Sequence, residues 1–502
     1  MKFSTILKKL GVAQNHEGAT SYQHTPEMEL YTAVVTMALQ DKFYETATDQ
    51  VERVAQLIRQ VSPEFVAKLA VYTRSEMYLR SIPLLLVVEL AKVHSGDDLV
   101  SRTVEKVIQR ADEIPELLMC YQWRNKRPGI KKLSRISHQI QVGLQRAFNK
   151  FDEYQFAKYD RATEVTLRDA LFIVHPKAKD EAQQAIFDRI VSRTLATPYT
   201  WETELSAVGQ RTFTSAAARE IAFSEKWTEL AESGKMGYMA LMRNLRNMLE
   251  AHLSAETIEK VATRLSDPRE VMNSKQLPFR FLSAYREIAS VTGLNTSTLL
   301  SALEEAVMHT AQAIKGIDEH SRVLLACDTS GSMTYPISSK SSVACYDIGI
   351  LLAMLFQSRC RQVITGAFAT EWEVMNMPRT SILANTQQMR SIEGRVGYGT
   401  CGEKPLQWLI HTRTVVDKVM MFTDCQFWNS SSMFTRTWQE YKKIAPKARL
   451  YLFDLAGYGQ TPISMQQHDV YSIAGWSDRI FDILYAIEHG STAIESIMAI
   501  HL

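Results

Sequence analysis

Four short apolar runs in the last part of the chain constrain its fold most: SRVLLACD (321–328), QVITGAFA (362–369), DKVMMFTD (417–424) and ARLYLFDL (448–455). Each reads as a strand buried on both faces. Helical stretches separate them, ACYDIGILLAMLFQS at 344–358 and KPLQWLIHTRT at 404–414. Alternation of this kind predicts a doubly wound α/β sheet over residues 319–502. Upstream the pattern is different. Val51, Val54 and Ile58 fall at i, i+3 and i+7, and Val100, Val104, Val107 and Ile108 repeat the helical spacing. Similar runs recur near 31–40, 65–74, 82–93, 181–194, 256–265 and 297–314, punctuated by stretches such as VSPEF and HSGDD. No fixed period emerges. Many short helices with short connections predict an irregular, HEAT-like helical-repeat array over 25–318, behind an N-terminal segment of residues 1–24. An ordinary all-helical domain fits the same pattern. Glycine usage marks the junction: the first 320 residues hold 10 of the 21 glycines and the remaining 182 hold 11.

Composition excludes several classes. With 46% hydrophobic and 22% charged residues and a formal charge of +2, the 502-residue chain is globular and carries no global basic field. Lys8 and Lys9 cut the apolar start too short for a signal peptide, and IPLLLVV (82–88) is too short to span a bilayer. The six cysteines show no paired spacing and read as reduced thiols of a cytoplasmic protein.

The first strand ends in Asp328-Thr329-Ser330-Gly331-Ser332, and ligands of open α/β sheets collect beyond the carboxyl ends of strands. A loop there can aim Asp328, Ser330 and Ser332 at one point. Thr400, in the glycine-rich stretch RVGYGTCGEKP, adds a hydroxyl, and Asp424 ends the strand VMMFTD. Carboxylates and hydroxyls are hard donors suited to Mg²⁺, or to Mn²⁺, rather than to zinc. Ser and Gly are also ordinary turn residues, and Asp an ordinary helix cap. The conjunction resembles the metal-ion-dependent adhesion site of von Willebrand factor A domains, and all five positions match. The resemblance implies a divalent cation with one position left for an acidic group of a partner, which is binding chemistry rather than hydrolysis. An ion that only stiffens the loops is the plainer alternative. Enzyme motifs are missing: Gly397-x4-Gly402-Glu403-Lys404 lacks the Gly-Lys-Ser/Thr core of a phosphate loop, and neither H-E-x-x-H nor G-x-S-x-G occurs. No enzyme is expected.

The local charge signal runs from Arg124 to Lys150, which holds Arg124, Lys126, Arg127, Lys131, Lys132, Arg135, Arg146 and Lys150 without one Asp or Glu. Tyr121 and Trp123 adjoin it, and aromatic faces beside guanidinium groups suit stacking on unpaired bases. RNA or another polyanion is the partner this composition suits; an ordinary solvated face is the alternative.

FVAKLAVYTRSEMYLRSIPLLLVVELA (65–91) and ALMRNLRNML (240–249) are similar to signature motifs of the TROVE-domain family of the Ro 60 kDa autoantigen and its bacterial orthologues. A von Willebrand A domain behind a helical module is that family's architecture, so the resemblance spans roughly residues 25–490. It implies helical repeats closed into a ring joined by the A domain, with 3′ single-stranded ends of misfolded RNA entering a basic hole. It also implies small noncoding Y or Y-like RNA on an outer basic surface, association with an exoribonuclease or RNA-repair enzyme, and no catalysis. Of the family's Y RNA contacts, Lys158 and His175 stand at matching positions. Arg161 arrives one position early, and the context of His175 is Ile-Val-His-Pro where the family has Leu-Ser-His-Leu. Arg74, Arg80 and Arg243, inside the helix motifs, are expected to bind carboxylates or carbonyl ends. A monomer is expected. The rival to RNA binding is a protein-interaction scaffold that works through the metal site.

Overall fold

A computed structural model describes residues 12–37, 39–126, 136–314, 319–338, 341–428, 431–467 and 469–502. The architecture is helical first and α/β second. The chain divides into two compact units, one of residues 12–54 and 227–493 and the other of residues 55–226 and 494–502. These units cut across the pattern change near residue 320.

In the unit of 55–226 and 494–502, the punctuating polar stretches become helix caps. Ser62 Oγ accepts from Phe65 N at 3.2 Å with Pro63 in the first turn, which starts the helix Pro63–Ser75. Asp152 and Gln155 form a capping box for Glu153–Tyr159, as Thr166 and Asp169 do for Leu167–Val174. The helices Leu99–Val107 and His138–Phe148 touch through Gly143, where a Cβ would come within 2.4 Å of Val104 Cβ and 2.7 Å of the Ser101 carbonyl oxygen. Two of the three motif arginines, Arg74 and Arg80, are structural as expected, whereas Arg243 is exposed. Arg74 donates to Glu113 at 2.8 Å and to the Val107 carbonyl at 3.2 Å, and Arg80 donates to Asp112 at 3.0 Å. Glu113 also accepts from the backbone N–H groups of Gln109 and Arg110 at 2.8 and 3.0 Å, so the buried carboxylate is fully used.

The unit of 12–54 and 227–493 is built on a six-stranded sheet ordered β5-β4-β3-β6-β7-β9. Its strands are β3 (Arg322–Asp328), β4 (Gln362–Phe368), β5 (Trp372–Met375), β6 (Lys418–Thr423), β7 (Arg449–Asp454) and β9 (Val470–Ala474). All neighbours are parallel except β4 and β5. The four strands expected from the sequence are β3, β4, β6 and β7; β5 and β9 extend the sheet at its two edges. The helix Cys345–Arg359 is buried along nearly its whole length, which explains why it is apolar all round. A second sheet joins β1 (Val12–Gln14), β2 (Thr20–Gln23) and β8 (Gln460–Thr461), so the start of the chain is paired with the α/β region. Arg286, on the helix Pro278–Ala289, grips Asp347 through two bonds of 2.8 and 2.6 Å, and Asp347 also caps Ala344 N at 2.8 Å. Among the described residues no helix is long and apolar enough to cross a membrane.

Candidate functional site

The crossover from β3 leads to β4 on one side, and β6 lies on the other, so β3 and β6 flank a topological switch point. A crevice opens at the carboxyl ends of such strands. Asp328 is the last residue of β3 and Asp424 directly follows β6; both are buried. Asp328 Oδ1 accepts from Ser330 N at 2.9 Å and Oδ2 from Thr423 Oγ1 at 2.6 Å. A short 3₁₀ turn, Gly331–Met333, sets Ser332 Oγ 3.3 Å from Ser330 Oγ. Backbone bonds stitch the three loops together. Gly331 N donates to the Tyr398 carbonyl at 2.9 Å and Trp428 N to the Thr400 carbonyl at 2.9 Å. Gly399 allows this closeness, because a Cβ there would stand 2.8 Å from the Trp428 ring. Thr400 itself is buried between Gly399, whose N donates to Thr370 Oγ1 at 3.0 Å, and Cys401, whose N donates to the Ala369 carbonyl at 2.8 Å.

The electrostatics fit a cation. Burial pushes the carboxyl of Asp328 up, and Asp424 is pushed up by burial and then by the charge of Asp328. Asp424 Oδ1 accepts from Gln426 N at 3.0 Å, but Oδ2 is buried without a hydrogen-bond partner among the described residues. Two buried carboxylates, one of them with an orphaned oxygen, and three hydroxyls are donors that could hold a hard divalent ion. Among the described residues no three His, Cys, Asp or Glu side chains gather as a metal site, here or elsewhere, so any ion at this crevice would depend on two carboxylates and on hydroxyls. Sequence reasoning overlooked Thr423, which holds Asp328 from the neighbouring strand; its only linear signal is adjacency to Asp424.

The basic stretch is more neutral in space than along the chain. Arg124 pairs with Glu89 at 2.6 Å, Arg146 with Glu105 at 3.4 Å, and Lys150 donates to the Glu105 carbonyl at 2.7 Å. Helix packing supplies carboxylates that a linear window does not contain. Tyr121, expected beside the patch as a stacking face, is buried; Trp123 is exposed. Lys126 is exposed, while Arg127, Lys131, Lys132 and Arg135 lie outside the described residues. Lys158, Arg161 and His175 are all exposed. Lys158 ends its helix 5.7 Å from the ring centre of Tyr154 and 5.6 Å from that of Tyr159, and His175 caps Leu167–Val174 in the left-handed conformation. The exposed ring of Phe172, with the Arg168 guanidinium 5.5 Å from its centre, was not anticipated. Its spacing is that of an ordinary helix pair.

Against known proteins, residues 29–222 and 193–322 match the TROVE domain, and residues 322–487 match the Ro60 vWA domain. The chain belongs to the TROVE family. The RNA-binding protein RO60 of Deinococcus radiodurans is 23% identical over 352 residues, 64% of this chain and 65% of that protein. Telomerase protein component 1 of Rattus norvegicus is 41% identical over 91 residues, and that of Mus musculus 39% over 94. These matches cover 18% and 19% of this chain and 3% of each telomerase component. The chain thus spans less than two thirds of each of these relatives. The crystal structure of the Deinococcus radiodurans RO (RSR) protein superposes with a TM-score of 0.59 at 18% identity, over 92% of this chain and 99% of that one. That likeness is one of fold, and it covers both the helical region and the α/β region.

Proposed function

We propose that this chain is a non-catalytic, cytoplasmic RNA-binding protein of RNA quality control, processing or decay. Small noncoding Y or Y-like RNA sits on an outward basic surface that includes Lys158, Arg161 and His175. The 3′ single-stranded ends of misfolded RNA enter the ring implied by the family resemblance, and an exoribonuclease or RNA-repair enzyme acts on what is held. The observation that carries this reading is the TROVE match across residues 29–322. Two others support it. The unit of 55–226 and 494–502 holds 26 Lys and Arg against 22 Asp and Glu, and so carries the positive excess of the chain. Lys158 is exposed between two tyrosine rings, where an ammonium meets a phosphate while a base stacks alongside.

Binding of the purified protein to one hairpin RNA, with and without a 3′ tail, at two salt concentrations, tests the reading. The tailed RNA should bind more tightly, with affinity falling steeply as salt rises. The Lys158→Ala/His175→Ala double variant should lose affinity for the structured RNA and keep it for the tail. Equal binding of tailed and blunt RNA would overturn tail selection.

The second reading, a metal-dependent interaction scaffold, is favoured by the buried donor cluster with its orphaned Asp424 oxygen. Asp328, Ser330, Ser332, Thr400 and Asp424 would hold Mg²⁺ or Mn²⁺, which would supply positive charge for an acidic group. Asp328→Ala abolishes partner capture under this reading and leaves RNA affinity unchanged under the first.

A further inference from the structure

The helix Leu167–Val174 holds an aromatic ring at the surface. Phe172 is 49% exposed, and Arg168, Phe172 and His175 fall at i, i+4 and i+7, along one face of that helix. The Arg168 guanidinium lies 5.5 Å from the ring centre, and Arg168 Nε is buried with no hydrogen-bond partner among the described residues. The chain that follows has a set shape. His175 takes the left-handed conformation, with φ at 50°, and Pro176 fixes the next φ. Gln141 Nε2 and Gln145 Nε2 both donate to the Val174 carbonyl, at 3.1 and 3.0 Å, and Asn149 Nδ2 donates to that of Lys177 at 2.9 Å. These amides, one turn apart, pin residues 174–177 by their backbone and leave His175 and Lys177 exposed. The two acidic residues within 165–180 serve as helix caps: Asp169 Oδ2 accepts from Thr166 N at 3.0 Å and Asp180 Oδ1 from Gln183 N at 2.8 Å.

We propose that Phe172 is a stacking face for one unpaired base of a bound RNA, with Arg168 beside the ring and Lys177 on the phosphate next to that base. This rests on the RNA-binding reading and deepens it, by naming what the RNA must present. In a duplex each base face is covered by its neighbours, so a ring at the surface gains from stacking only where a base is bulged, looped out or single-stranded. The surroundings favour a nucleotide over an apolar protein segment. Such a segment would bury the charges of Arg168 and Lys177 along with the ring, whereas a nucleotide sets a π-face against the ring and a phosphate against the charges. The pinned loop needs no further ordering, which lowers the cost of binding. Every base has a π-face, so the selection is for an exposed base and not for its identity.

Binding of the full chain to a blunt RNA duplex, and to the same duplex with one bulged 2-aminopurine, tests this by fluorescence anisotropy and by the emission of the bulged base. The natural protein should bind the bulged duplex about tenfold more tightly and change its emission. Phe172→Ala should lose both effects while binding the blunt duplex as the natural protein does, and Phe172→Trp should keep both. The ring is half exposed and alanine is the best helix former, so Phe172→Ala keeps the fold. Lys177→Ala should weaken both duplexes alike and lower the slope of affinity against salt by about one. Equal affinity of the natural protein for the two duplexes, binding of neither while a tailed hairpin still binds, or an undiminished preference in Phe172→Ala would overturn the proposal and leave RNA binding standing. So would a Phe172→Ala variant whose one change, by light scattering, is a loss of self-association, which would give the ring to a second copy of the chain. No binding of either duplex or of the tailed hairpin would instead overturn the RNA-binding reading itself.

Discussion

His24 directly follows β2, and its Nε2 is buried with no hydrogen-bond partner among the described residues. Burial pushes its pKa down to about 4 from an ordinary 6.5. The unfolded chain therefore binds a proton between those values that the folded chain refuses. Stability from this residue is complete above pH 6.5 and is lost as pH falls through 4, by about 3 kcal/mol in all. Urea unfolding between pH 4 and 7 should show a shallower acid loss for His24→Leu; parallel curves would refute the assignment. Asp328 and Asp424 are pushed the other way: burial raises both carboxyls, and the charge of Asp328 raises Asp424 further. Under the proposed metal reading Mg²⁺ stabilises the natural protein, by about 2.7 kcal/mol at a hundredfold excess over Kd. Asp424→Asn, which removes one of the two charges, should melt at the same temperature in Mg²⁺ and in chelator. A Mg²⁺-dependent shift in that variant would count against Asp424 as a ligand.

Between elements, ion pairs differ in worth according to burial. Arg286 and Asp347 are both buried, and they bind the helix Pro278–Ala289 to the start of Cys345–Arg359. Arg286→Ala leaves the buried carboxylate only Arg390, 3.9 Å away, as a cationic partner and should cost about 3 kcal/mol. Arg322 and Asp417 are also paired, at 3.1 Å, but nearly half exposed, so Arg322→Ala should cost about 1 kcal/mol or less. Thermal unfolding of the two variants side by side reads the contrast, and similar losses would disprove it. The elements themselves were legible to different degrees. The strands β3, β4, β6 and β7 announce themselves because a strand buried on both faces must be apolar throughout. The edge strands β5 and β9 are short, and WEVM and VYSIA carry polar residues because an edge is covered on fewer sides. The hairpin β1–β2 has no apolar pattern at all, since its partner β8 lies more than 430 residues away.

For the whole molecule, the two compact units separate the candidate chemistries. The candidate metal residues lie in the unit of 12–54 and 227–493, and Lys158, Arg161 and His175 lie in the unit of 55–226 and 494–502. Under the RNA reading Asp328→Ala should leave the affinity for hairpin RNA within about twofold, as expected of sites that share no partner. A tenfold loss in a filter-binding or fluorescence titration would mean that the sites are coupled. What the sequence by itself determined is local: helix periodicity, caps, four buried strands, and the D-x-S-x-S, Thr and Asp loops. These are legible because period, capping and strand-end chemistry depend on residues a few positions apart. Only the tertiary structure decided the rest. It neutralised Arg124 and Arg146 with Glu89 and Glu105, buried Tyr121, and set Thr423 against Asp328. It also docked the turn after β1 on the loop of Gln426. Each of these depends on contacts across dozens to hundreds of residues, and such contacts leave no period in the chain.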